Sequence, residues 1–392
     1  MSSPVALPAK SASATRGGAL DALRFLAAMF VVVFHFGDEA PVALQSMHAF
    51  LGRGYLATDF FLMLSGFVLA KAYGANIVSG KVSLGPFWLK RLVRCYPTHL
   101  ITLGLLIIMI VGGGMLGFTP DDAHRYDLSG LPAQLLLLHA FGPGAGQWNI
   151  PSWTISSLLI CYLFFPMLWR AMQRVPSPLA ALALGLVLLV GANLASLHFL
   201  HVEQFSLGFR WNFLRAAPLF LVGLTLARAV QTAQWKASTA RILGFGGGAI
   251  LLTNAVMAGP DMINILAICA VIMGCGASPV TKAIPGAAWG AKVSFSLFMI
   301  HTLTGAVWFD AAEPLLAKLH PAVETVSWEA WALWFGALGF TVAVSAAYCR
   351  WIDEPVVAWL NARLFGRKTA RPSIPPQVSV RPDPRPATEP SA

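Results

Sequence analysis

Apolar runs of about 17 to 25 residues recur along nearly the whole chain, each closed by charges, prolines or glycines, which is the pattern of helices that cross a bilayer. The pattern reads as about ten spans, at 20–36, 55–73, 98–118, 151–169, 177–197, 213–230, 242–258, 262–279, 292–309 and 329–349. A shorter apolar stretch at 131–141 cannot cross and is expected to be a re-entrant or interfacial piece. Beyond Pro355 the chain turns basic and proline-rich, ending RPSIPPQVSVRPDPRPATEPSA, a composition that buries no core and is expected to be disordered. The expected architecture is an all-α, polytopic membrane bundle: a cytoplasmic tail over 1–18, a single membrane domain over 19–362 and a disordered tail over 363–392.

The charges orient this bundle. Lys71, Lys81, Lys90, Arg91 and Arg94 fall in one loop set with Arg170, Arg174, Arg228, Lys236, Arg241, Lys282 and Arg350. The alternate loops hold Asp38, Glu39, Asp121, Asp122, Asp127, Asp261, Asp310 and Glu313, with few basic residues beyond Arg53, Arg125, Arg210 and Lys318. The positive-inside rule places the first set and both termini in the cytoplasm, in a multi-pass protein of the inner (plasma) membrane.

Composition then excludes several classes. With 57% hydrophobic and 11% charged residues and a mean hydropathy of +0.67, the chain has too little polar surface for a soluble globule. The net charge of +10 is spread over membrane-flanking loops and a tail. That distribution serves topology, lipid or an anionic substrate and does not indicate nucleic acid. Five cysteines, with no CxxC pair, indicate neither a disulfide framework nor zinc. His198 and His201 share a helical face but lack a third ligand nearby, so no metal is expected.

Against that apolar background the ionisable residues within spans become candidate chemistry, because each is costly at membrane depth. The first span, LDALRFLAAMFVVVFHF, carries Arg24 and His35. At about 100° per residue they fall within roughly 20° of one face, about 16 Å apart along the axis. The second span, in GYLATDFFLMLSGFVLA, places Asp59 at a depth comparable with His35, where a carboxylate can orient an imidazole. Ser65 and Gly66 follow two turns deeper, where small residues also serve plain helix packing. FWLKRLVRCYP brings Arg91 and Arg94 to the inner surface. Such a pair can grip phosphate, although the positive-inside rule alone would also produce it. A phosphorylated ligand resting on Arg24, Arg91 and Arg94, with a long uncharged arm reaching His35, has the shape of an acyl-coenzyme A.

These residues resemble the acyltransferase-3 family of integral-membrane acyltransferases, which typically O-acetylate bacterial surface carbohydrates. The resemblance runs from about Leu20 to Pro355 and is carried by five ordered motifs. They are the basic residue and histidine at Arg24 and His35; GYLATDFFLMLSGF with Asp59, Ser65 and Gly66; RxxR at Arg91 and Arg94; SFSLFMIH ending at His301; and WIDEP with Glu354 and Pro355. One segment departs: in PSWTISSLLICYLFFP, Trp153 and Ser156 fit, while Leu158 and Leu159 stand where the family usually has an acid.

The resemblance implies transfer of an acyl group, acetyl first, from cytoplasmic acyl-CoA to a hydroxyl of a surface carbohydrate or lipid-linked glycan. The acyl-CoA is a co-substrate and no other cofactor is implied. His35 is the expected general base and Asp59 its orienting partner, with an acyl-histidine relay equally open. Arg24, Arg91, Arg94 and Ser65 are assigned to the donor; Trp153, Ser156 and His301 are expected to line the site; Glu354 is expected to pair with arginines. Two other readings stay open at this point, a glycan or anion translocator and a non-catalytic relative.

Overall fold

The computed structural model describes residues 17–115, 117, 123–141, 148–208, 211–278, 280–312 and 326–366. Among the described residues there are helices and turns and no strand. The principal helices are α1 (Ala19–His35), α2 (Tyr55–Val78), α3 (Leu84–Met115), α4 (Ser152–Met172), α5 (Pro178–Leu200), α6 (Asn212–Gln231), α7 (Ala237–Val256), α8 (Asp261–Ala277), α9 (Ala287–Ala306), α10 (Trp328–Tyr348) and α11 (Glu354–Phe365). Among the described residues eight segments are long and apolar enough to cross a membrane. The other two expected spans are α1 and α8, of 17 residues each, or about 26 Å of helix against a hydrocarbon core of about 30 Å. The stretch at 131–141 forms only a short helix, Leu131–Leu135, followed by turns.

Helix ends differ from expectation where charge was read as a boundary. The third span was expected from 98, yet α3 begins at Leu84 and carries Arg91, Arg94 and Pro97 within it. Long basic side chains reach the interface from a continuing helix, and a membrane helix tolerates proline where neighbours satisfy the freed carbonyl. The last span continues past 349 through a π turn at Cys349–Asp353 into α11, so helix extends beyond the expected domain end at 362. Ser177 and Ser327 start α5 and α10 by accepting from the backbone N–H of Ala180 and Ala330, the local capping that serine supplies. Lys10, Arg16, Asp121, Asp122, Arg210, Glu313, Lys318 and the tail from 367 onward lie outside the described residues.

Among the eight span-length segments, those of α2, α6 and α9 are the most enclosed and that of α7 is the most exposed. Helices α2 and α6 cross closely because both carry glycine at the contact: a Cβ at Gly66 would meet the Phe220 carbonyl, and one at Gly223 the Met63 carbonyl. Without a hydrophobic force between helices in lipid, such close backbone approach is a main source of association. Around it pack Phe67, Phe165, Phe220, Leu62 and Met63, all buried. A second apolar cluster, with Val32, Phe36, Leu297 and Trp334, joins α1 to α9 and α10. Trp334 donates its indole N–H to the Phe36 carbonyl at 2.7 Å, satisfying the group that the end of α1 leaves open.

Candidate active site

His35 is the last residue of α1 and His301 lies on α9, the helix packed along it. Their ring centroids are 4.9 Å apart at an interplanar angle of 41°. Nδ1 of His35 lies 2.9 Å from the Val31 carbonyl and Nδ1 of His301 lies 2.9 Å from the Phe298 carbonyl. A carbonyl only accepts, so each Nδ1 bears the hydrogen and each Nε2 of a neutral ring keeps its lone pair. His301 is fully buried and its Nε2 has no partner. His35 is half-buried and lines two cavities, of 140 and 160 Å³. The site therefore holds two tautomer-fixed imidazoles, one of them open to a ligand.

Asp59 does not join them. Its carboxylate is fully buried and both oxygens are taken by Arg215 of α6, Nε to Oδ1 at 2.9 Å and Nη2 to Oδ2 at 2.9 Å. The expected Asp59–His35 dyad is thus replaced by a carboxylate–guanidinium pair. A planar fork matches both carboxylate oxygens at once and is the stronger partner, while the helix's own carbonyl already satisfies His35 Nδ1. Arg215 was missed by sequence reasoning, although the criterion that singled out Arg24, a cation inside an apolar run, applies to it equally.

The donor-side residues gather at the other end of the bundle. Arg24 is half-buried, its Nε is buried without a partner, and among the described residues no carboxylate lies within ion-pair distance. Arg91 donates from Nη2 to the Tyr73 hydroxyl at 2.8 Å and lies over that ring, with Nε also unpartnered. Arg94 is different: its Nη1 reaches both oxygens of Asp353, at 3.1 and 2.8 Å, and its guanidinium covers Phe295. Arg94 thus shares one guanidinium nitrogen with an internal acid, which Thr98 also binds at 2.8 Å. Glu354, expected to pair with arginines, pairs instead with Lys292 at 2.9 Å. Ser65 donates to the Phe61 carbonyl at 2.7 Å.

The remaining two expected residues separate. Trp153 lines the 160 Å³ cavity with His35. Ser156 is fully buried; it donates to the Leu137 carbonyl at 2.6 Å and accepts from the Ala140 N–H at 3.2 Å, pinning the 131–141 segment. Asn149, not anticipated, ties three elements: its amide donates to Thr102 Oγ1 at 3.2 Å and the Met299 carbonyl at 3.0 Å, and accepts from Thr302 at 2.8 Å. It thereby fixes the turn of α9 that carries His301. Among the described residues no three His, Cys, Asp or Glu side chains converge on a point that could hold a metal ion.

A family model described as an acyltransferase domain matches residues 18–350. The chain belongs to that family. It is 30% identical over 167 residues to Acyltransferase MdmB of Streptomyces mycarofaciens, a match spanning 40% of each chain. It is 32% identical over 188 residues to Protein 2 in picA locus of Rhizobium radiobacter, covering 44% of this chain and 92% of that protein. No solved structure matches. In this member of the acyltransferase family, Leu158 and Leu159 stand where an acid was expected and pack against apolar clusters, so that stretch of α4 serves packing.

Proposed function

We propose that the protein moves an acyl group, acetyl first, from a cytoplasmic acyl-CoA to a hydroxyl of a surface carbohydrate or lipid-linked glycan. The observation that carries this reading is the open His35 imidazole beside His301, on the same helix face as a half-buried arginine that has no carboxylate within ion-pair distance among the described residues. An arginine so placed asks for an anion from outside the chain. The phosphates of acyl-CoA fit Arg24 and Arg91, with Arg94 occupied by Asp353. The thioester arm then runs along α1 for about 16 Å to reach His35. The charge distribution supports an orientation with Arg24, Arg91 and Arg94 facing the cytoplasm and His35 in the outer half of the membrane.

In the transfer step His35 Nε2 takes the proton of the acceptor hydroxyl as its oxygen bonds to the acyl carbon. The carbon–sulfur bond breaks and the departing thiolate takes the proton back, so the protein ends as it began. The Val31 carbonyl holds the tautomer that makes Nε2 the base. His301 packs against the His35 ring from the buried side. Membranes carrying the protein, given radiolabelled acetyl-CoA, should transfer label to glycan, and those carrying His35→Ala should not. Label retained on the protein when acceptor is withheld, and lost in His35→Ala, would replace direct transfer by the acyl-histidine relay.

A further inference from the structure

The 160 Å³ cavity against His35 has a second polar wall that the transfer step does not use. Arg215 and Asn212, both on α6, line it together with Thr58 of α2. Arg215 is 8% exposed and Asn212 3%. Two nitrogens of Arg215 are spent on Asp59, and Nη2 also approaches the Tyr55 carbonyl at 3.5 Å. Among the described residues neither its Nη1 nor the Asn212 side-chain amide makes a hydrogen bond. Polar groups facing a cavity in this way are completed by water or by a ligand. Tyr55 and Trp153 also line the cavity, flat amphipathic side chains suited to the apolar face of a ring.

The charges around this wall cancel. Asp59 balances Arg215, and the neighbouring Asp261 is bound by Arg53 at 3.2 Å and by the Tyr55 hydroxyl at 2.7 Å. Arg125 comes within electrostatic reach of the two histidines but does not line this cavity, and it donates to the Trp148 carbonyl at 3.4 Å. The wall thus offers fixed N–H donors and an amide carbonyl without net charge. Hydroxyl and ether oxygens satisfy such groups, whereas a carboxylate would enter a confined site where, among the described residues, the one lining guanidinium is already paired with Asp59.

We propose that Arg215 and Asn212 form the acceptor subsite, and that Asp59, by cancelling the arginine's charge, makes it select an uncharged hydroxyl-bearing ring over an anionic one. The proposal rests on the acyl-transfer reading above and adds the residues that choose the acceptor. Asp59 is then a positioning residue acting through Arg215.

The test uses purified full-length protein in lipid nanodiscs with labelled acetyl-CoA and two probes that share a ring, methyl glucoside and methyl glucuronide. Wild type should acylate the glucoside with a kcat/KM at least about tenfold above the glucuronide, since an uncompensated charge is disfavoured in a confined site. Asp59→Asn should cut that ratio by about tenfold, and Asn212→Asp should raise it, the two shifts being opposite in sign. The double variant should return the ratio toward wild type, which simple unfolding cannot do. A wild type that handles both probes equally, or acylates neither, overturns the proposal, as does a ratio unmoved by Asp59→Asn or by Asn212→Asp. Slow thiol release from acetyl-CoA without either probe, lost in His35→Ala, is measured alongside. Its presence with no acceptor preference sinks the subsite alone, and its absence sinks acyl transfer.

Discussion

At the scale of single residues, the arginines divide by what already occupies them. Arg24 and Arg91 have unpartnered buried nitrogens and Arg94 is held by Asp353. Arg24→Ala is expected to raise the Kd of acyl-CoA at least about tenfold, the scale of a lost charge-assisted contact, as isothermal titration would show. Arg94→Ala should act on stability first, because it leaves a buried carboxylate with only Thr98. Since Arg94 is 41% exposed, the loss should be on the order of 2 kcal/mol and below that of a fully buried pair. A larger change in Kd than in thermal stability for Arg94→Ala would reverse this assignment. Arg24 and His35 were legible in the sequence because a charge inside an apolar run stands out. Asp59 was legible as important but its partner was not, since partner choice depends on which helices cross.

At the scale of elements, spans could be placed from hydropathy while their ends could not. Basic residues at the interface read as loop, yet α3 continues through them from Leu84. The α2–α6 crossing is the joint on which the Asp59–Arg215 pair depends, and two glycines set its closeness. Gly223→Ala should force the helices apart and lower the melting temperature in detergent, at a cost of about 1–3 kcal/mol or more. Gly104→Ala, where an added methyl meets nothing within 4 Å, should be neutral or slightly stabilising. Equal effects of the two changes would mean the crossing is not close. The ion pair itself makes a further prediction: replacing both members by Asp59→Leu and Arg215→Met should cost less stability than either single change, because one partner alone leaves a buried charge.

At the scale of the molecule, the reaction as read needs donor and acceptor at opposite ends of one bundle. The charge asymmetry that suggests this was visible in the sequence; the gathering of His35, Trp153, Arg215 and Phe298 around one cavity was not, because these residues come from α1, α4, α6 and α9. Orientation can be measured directly. Ala49 and Ser79 are exposed in loops at opposite ends of α2, and four of the five native cysteines are buried. In intact cells Ala49→Cys should react with an impermeant thiol reagent, and Ser79→Cys only after the membrane is opened. The opposite pattern would invert the bundle and place the donor arginines on the wrong side for cytoplasmic acyl-CoA.

The most direct test of the account is single-turnover acetyl transfer by purified His35→Ala beside wild type, with acetyl-CoA affinity measured on the same samples. Loss of the base should slow transfer by about 10² to 10⁴-fold. The Kd for acetyl-CoA should stay within about twofold of wild type, because the proposed donor contact at Arg24 lies some 16 Å along α1 from His35. Near-normal transfer by folded His35→Ala would contradict the assignment of the base and, with it, the proposed site.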